Sequence, residues 1–153
     1  MGIQIRRAEV SDLDAVIPLF DAYRVFYKKS SDLAGVKAYL SGRFALGDAV
    51  ILLAFHDDDP VVGPPIGFTL LLPTWSSVAL GRVFTLNDLY VVEEGRKAGA
   101  GRAMLEAAHE HARSEGAVRV SLRTAVDNET AQRLYRAVGY QRDEVFSAFD
   151  FHL

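Results

Sequence analysis

Ile3 and Ile5 alternate with Gln4 and Arg6, the period-two pattern of a half-buried strand. Ser11 then opens a helix, with Asp14 three residues on as an acidic variant of the capping box. Leu13, Ile17, Phe20 and Arg24 follow at spacings of four, three and four, which carries that helix to about Tyr27. A second helix is predicted from about Asp32 to Leu46, stopping near Gly47. The unbroken apolar run Val50 to Phe55 reads as a buried strand. His56 to Pro60 reads as a solvated turn. Ile66 to Leu72 is the next strand, ended by Pro73, and Val83 to Val92 is another, with no helix between the strands. From Gly99 the period becomes helical: Gly101, Leu105, Ala108 and Ala112 make one stripe, and Gly116 suits the position after the last turn. Val118 to Leu122 is a strand, and Asp127 or Asn128 caps a helix that Gly139 ends. Tyr140 to Leu153 offers two short strands, the last from Val145.

This order predicts an α/β fold: one mixed sheet of about seven strands with about four helices on both faces. The length of 153 residues, without repeat or linker, predicts a single domain spanning 1–153. A formal net charge of −3 argues against a nucleic-acid partner, which needs a basic face. There is no cysteine, hence no disulfide, thiolate metal site or thiol nucleophile. No apolar run reaches the roughly 18 residues of a membrane span, and residues 1–7 lack the apolar core of an export signal. The expectation is a cytoplasmic protein with no membrane partner. His109 and His111 are two apart on a helix and cannot face each other, so no metal site is expected.

The stretch Gly95 to Arg102 joins a strand to a helix and holds three glycines and the cations Arg96, Lys97 and Arg102. A helix start presents unpaired N–H groups and a positive dipole end, which together bind phosphate. Glycine lets the backbone approach a ligand closely. The Gly-Lys-Ser/Thr ending of a Walker A loop is missing. So is the third glycine of the dinucleotide fingerprint, where Met104 stands. Taken alone, the stretch reads equally as an ordinary strand-to-helix loop with surface cations.

Arg96-Lys97-Ala98-Gly99-Ala100-Gly101, placed after the strand Leu86 to Val91, resembles the cofactor motif of the GNAT superfamily of N-acetyltransferases. Downstream, Asp127-Asn128-Glu129-Thr130-Ala131, Leu134-Tyr135 and Gly139-Tyr140 resemble that family's second motif, in the same order and spacing. The resemblance implies an acyltransferase that uses acetyl-CoA. It implies that backbone groups of Leu89, Tyr90 and Val91 pair with the pantetheine arm. Backbone N–H groups from Lys97 through Ala98, Gly99, Ala100 and Gly101 to Arg102 would hold the pyrophosphate. Asn128 would contact the cofactor, and Tyr135 would protonate the departing thiolate. A phenol with a pKa of about 10 can donate that proton while staying neutral at pH 7. By periodicity alone Tyr135 is a core residue, sharing a stripe with Ala131, Leu134 and Val138.

An alkyl ammonium must lose a proton before it attacks a thioester, and a carboxylate is the usual base. Asp88 is the candidate, beside the cofactor motif; its other reading is a buried carboxylate bonded to a loop. Asn87 and Asp88 are expected on opposite faces of the strand. Polyamine acetyltransferases of the superfamily carry a carboxylate where this chain has Asn87. Tyr23, Arg24 and Tyr27 fall where the family places part of its acceptor pocket, and Trp75 follows in the loop before the Asp88 strand. These segments look most like the diamine and small-amine branch, and aromatic and acidic walls suit a cationic amine. A lysine or N-terminal protein acetyltransferase is the alternative, and a non-catalytic acyl-CoA-binding domain the reading of another class. Many relatives form homodimers, and Val145 to Leu153 could take part.

Overall fold

A computed structural model of the chain describes residues 2–58 and 63–153. They fall into two compact units, residues 1–123 and 124–153. The first holds strands β1 (Ile3–Arg7), β2 (Val50–His56), β3 (Gly67–Ser76), β4 (Gly81–Val91) and β5 (Arg119–Leu122). It also holds helices α1 (Leu13–Phe26), α2 (Leu33–Leu46) and α3 (Ala100–Ser114), with 3-10 segments at Val10–Asp12 and Glu93–Ala98. The second unit contains α4 (Glu129–Ala137).

The strands lie in the order β1-β2-β3-β4-β5. The first four pair antiparallel, and β4 pairs parallel with β5. A parallel neighbour needs a crossover, which α3 supplies. Successive strand residues alternate faces, so β2 and β3 feed two cores. Ile51, Leu53, Phe55, Phe68 and Leu70 pack with Val16, Leu19 and Phe20 of α1 and Val36 and Leu40 of α2. Ala54 and Ile66 pack with Ala100 and Met104 at the start of α3. Burying a side chain such as Phe68, which is fully enclosed, contributes on the order of 2–3 kcal/mol.

Helix ends follow local chemistry. The Asp32 side chain caps α2 by accepting from the Gly35 N–H at 2.9 Å, and Gly47 ends it in the left-handed region. In place of the expected Ser11 cap, a 3-10 turn, Val10–Asp12, leads into α1 and is closed by Asp12. Its carboxylate accepts from the Glu9 N–H at 2.8 Å and from the Arg6 guanidinium at 2.8 and 2.9 Å. Asp21, buried within α1, accepts from the Ser31 hydroxyl and the Asp32 N–H, fixing the α1–α2 connection. These two donors hold its carboxyl below the usual range, the Asp32 N–H foremost.

Pro73 does not end its strand. β3 continues to Ser76, pairing Trp75 with Arg82. Its pairing with β2 stops at Leu71, so a residue without an N–H interrupts no ladder on that side. The sheet has five strands among the described residues rather than seven. Residues 140–153 form no strand. The Asp143 carboxylate accepts from the Val145 and Phe146 N–H groups, a local turn that competes with ladder pairing. Alternation of Phe149, Phe151 and Leu153 supplies the side-chain pattern of a strand but not its hydrogen-bonded neighbour. In the expected turn after β2, Asp59 and Pro60 lie outside the described residues.

Candidate active site

The ladder between β4 and β5 ends at Leu86 and Leu122. Beyond it, Asn87 to Val91 retain β3 on one side and no strand on the other among the described residues. Leu89, Tyr90 and Val91 thus lie on a strand edge able to accept an extended partner. The Val91 carbonyl already accepts from Arg96 Nε at 3.0 Å.

A 3-10 segment, Glu93–Ala98, carries the chain from this edge to α3. Gly99 is the hinge, with φ of 80°. A side chain there is strained by its backbone alone, and an added Cβ would meet no atom within 4 Å. Gly95 differs: it is buried, and a Cβ would come within 3.0 Å of Val91 Cγ1 and 3.1 Å of Ile66 Cδ1. So Gly95 serves packing, while Gly99 opens onto free space. The helix that begins at Ala100 has no side-chain cap and no acidic residue in its first turn. Its first N–H groups, on Ala100, Gly101 and Arg102, have no acceptor within the helix. The Ala100 methyl is itself buried in the core. Arg102 Nε pairs with Glu106 at 3.0 Å, and Arg96 is turned toward the strand edge. With these two guanidiniums engaged elsewhere, the backbone N–H groups are the candidate donors at this turn. A diphosphate fits these donors.

On β4, Leu70 pairs with Asp88 but Leu71 pairs with Leu86, so Asn87 is the extra residue of a β-bulge. At this bulge Asn87 is exposed and Asp88 buried. The Asn87 amide donates to Asp88 Oδ2 at 3.0 Å. The Asp88 side chain is buried, and its backbone carbonyl accepts from the Thr69 hydroxyl at 2.7 Å.

Tyr23 is the hub of an aromatic cluster. Its ring lies 5.9 Å from Phe20, 5.0 Å from Tyr27, 5.5 Å from Phe68 and 6.0 Å from Tyr90. Tyr27 is half-exposed at the end of α1. Arg24 donates to the Ser30 carbonyl at 3.1 Å and braces the α1–α2 connection. Trp75 is not with this group. It sits seven positions along β3 from Phe68, about 23 Å at the usual strand rise, and the Arg82 guanidinium lies 4.8 Å from its ring.

Two residues missed in the sequence belong to the cluster. Phe26 lies 5.3 Å from Tyr27 and 6.1 Å from Tyr90. Tyr39 of α2 lies 5.8 Å from Phe20. Burial pushes the Tyr39 phenol up, and the Asp88 charge adds to that push, so Tyr39 and Asp88 are electrostatic neighbours. The packed run Tyr23 to Tyr27 signalled Phe26; nothing local to α2 signalled Tyr39.

In the second unit, Asn128 Oδ1 accepts from the Ala131 N–H at 3.2 Å and caps α4. Its amide N–H groups remain available to donate. The Tyr135 ring lies 5.9 Å from Tyr140 at 65°. Burial, with a smaller effect from Tyr135, pushes the Tyr140 phenol up to about 12. Burial also lowers both α3 histidines, His109 and His111. Among the described residues, no three His, Cys, Asp or Glu side chains converge as a metal site, and no helix is long and apolar enough to cross a membrane.

A mixed sheet opened at β4 leads through a glycine hinge to an uncapped helix start, an α/β arrangement whose backbone donors suit a diphosphate-bearing group. The sequence pattern of the Acetyltransferase (GNAT) family matches residues 16–140. The chain is 43% identical over 144 residues to the uncharacterized N-acetyltransferase YhfO of Bacillus subtilis (strain 168), covering 94% of this chain and 93% of that one. It superposes on the crystal structure of a probable acetyltransferase with a TM-score of 0.88 and 36% identity, covering 98% and 97% of the two chains. It shares its fold with AAC(6')-Iy in complex with the bisubstrate analog CoA-S-monomethyl-acetylneamine, at a TM-score of 0.79, 16% identity and full coverage of both chains (100% each). The chain belongs to the GNAT family of acetyltransferases. It is an N-acetyltransferase, and its acyl donor is acetyl-CoA.

Proposed function

We propose that this enzyme acetylates the primary amine of a small molecule by direct attack in a ternary complex. The observation that carries the reading is Asp88: a buried carboxylate at the β4 bulge, electrostatically linked to Tyr39 in the aromatic cluster of α1 and α2. Aromatic faces with one carboxylate suit a compact cation, and Tyr23 and Tyr27 with Asn87 are its proposed contacts. A diamine or similar small amine is the favoured acceptor class.

The amine nitrogen bonds to the thioester carbonyl carbon as the carbon–sulfur bond breaks. Asp88 takes the proton shed by the amine, and Tyr135 gives its phenolic proton to the leaving sulfur. The cradle of N–H groups at Gly99 to Arg102, the open edge at Leu89 to Val91 and the Asn128 amide are the proposed donor contacts. Lys97 adds positive charge at the loop.

The enzyme is also read as cytoplasmic and homodimeric. The absence of cysteine is compatible with the first, and the exposed Phe146, Phe149, Phe151 and Leu153 support the second. Sedimentation of the intact chain against a 144–153 deletion tests the dimer.

Mass spectrometry of products from acetyl-CoA with diamines, amino acids and lysine-containing peptides tests the acceptor class. Acetylated small amines are expected. Acetylation confined to the peptides would replace this reading with protein acetylation, and no acetylated product would leave an acyl-CoA-binding domain.

A further inference from the structure

Arg96 is the first residue of the cofactor motif, yet its guanidinium is not directed to the helix start. Nε donates to the Val91 carbonyl at 3.0 Å, on the open edge of β4. The guanidinium carbon stands 5.5 Å from the centre of the Phe26 ring, at the end of α1. Phe26 in turn contacts Tyr27 and Tyr90, and both contact Tyr23. One side chain thus joins three features: the loop before Gly99, the β4 edge and the aromatic end of α1. Lysine could not reproduce this, because it lacks both the planar face and the fixed Nε–H.

We propose that Arg96 is a positioning residue that ties the diphosphate loop to the end of α1, so that donor binding is transmitted to the acceptor side. The inference rests on the acceptor site proposed above. Arg96 stands three residues before Gly99, and a diphosphate held there acts on the guanidinium charge. That charge is attracted to the face of the Phe26 ring, whose neighbour Tyr27 is a proposed acceptor contact. By reciprocity, an acceptor that presses on Tyr27 and Phe26 alters donor affinity by the same factor. A half-exposed cation–π contact supports a coupling of about twofold to fivefold.

The test uses the full chain with 3-fluorotyrosine at its six tyrosines, and coenzyme A as the probe. The Tyr27 fluorine resonance is assigned by its loss in Tyr27→Phe. Coenzyme A should shift that resonance in the wild type. In both Arg96→Ala and Arg96→Lys the shift should fall to less than about half, with the Kd for coenzyme A kept within about threefold, a small change beside the factor expected of a lost phosphate ligand. An undiminished Tyr27 shift in Arg96→Ala overturns the proposal. So does a larger loss of coenzyme A affinity, which would make Arg96 a direct phosphate ligand. Absence of any rise in melting temperature with coenzyme A overturns this inference together with the donor site, whereas a melting rise with an unmoved Tyr27 resonance overturns this inference alone.

Discussion

Replacing Gly99 with alanine separates backbone strain from ligand obstruction. At φ of 80° an L-residue costs about 1–2 kcal/mol. Lower entropy of the unfolded chain increases stability by about 0.4–1 kcal/mol, so it offsets part of that strain. With no atom within 4 Å of the new methyl group, there is no packing cost to add. A net loss near 1 kcal/mol lowers the melting temperature of a chain this size by about 2–4 °C. The methyl group projects into open space beside the proposed diphosphate site. Loss of one charge-assisted hydrogen bond there costs about 1.5–3 kcal/mol, or roughly tenfold to a hundredfold in coenzyme A affinity. Calorimetric titration with coenzyme A and thermal melting read the two quantities on the same preparations. Gly95→Ala is the control. Its methyl group would press on Val91 and Ile66, costing about 1–3 kcal/mol by overpacking with little change in affinity. Wild-type affinity in Gly99→Ala, or a larger affinity loss in Gly95→Ala, would refute the placement of the cradle.

Tyr135→Phe should lower turnover by about a hundredfold or more, the usual scale for a lost general acid, with coenzyme A affinity in titration unchanged. Equal turnover removes Tyr135 from that role. Asn128→Ala should destabilise the protein by about 1 kcal/mol through loss of the α4 cap, whereas Asn128→Asp should keep the cap in thermal melting and test the cofactor contact separately. Burial holds His109 and His111 below their usual pKa, so the unfolded chain takes up protons first as pH falls. Stability in urea titrations should hold above about pH 6.5 and decline below it, and a His109→Gln, His111→Gln variant should decline less. An equally steep decline in that variant would contradict the assignment.

The helices were legible because their signals are local. Asp32 and Gly47 bracket α2 as caps, and Ala108 and Ala112 mark the buried stripe of α3. The glycine hinge and the start of α3 were legible for the same reason, since they are neighbours in sequence. Within that stretch Gly95 is buried against Val91 and Ile66, and Arg96 Nε donates to the Val91 carbonyl, so the proposed cradle is confined to Gly99 through Arg102. What stayed hidden depends on partners far along the chain. The bulge at Asn87 is defined only by the register with Leu70 and Leu71. Tyr39 comes within electrostatic reach of Asp88 only because α2 packs with the strands. Pro73 reads as a strand end because the sequence does not show that β2 stops short of it, and the pattern after Tyr140 carries no information about a neighbouring strand.

The most direct measurement of the central claim is free-thiol release from acetyl-CoA, followed continuously with a series of primary amines, for the wild type and Tyr135→Phe side by side. Amine-dependent release that saturates with at least one small amine, and falls sharply in the variant, is the expected result. Release no faster than the enzyme-free blank with every amine, or equal rates in the two proteins, would contradict it.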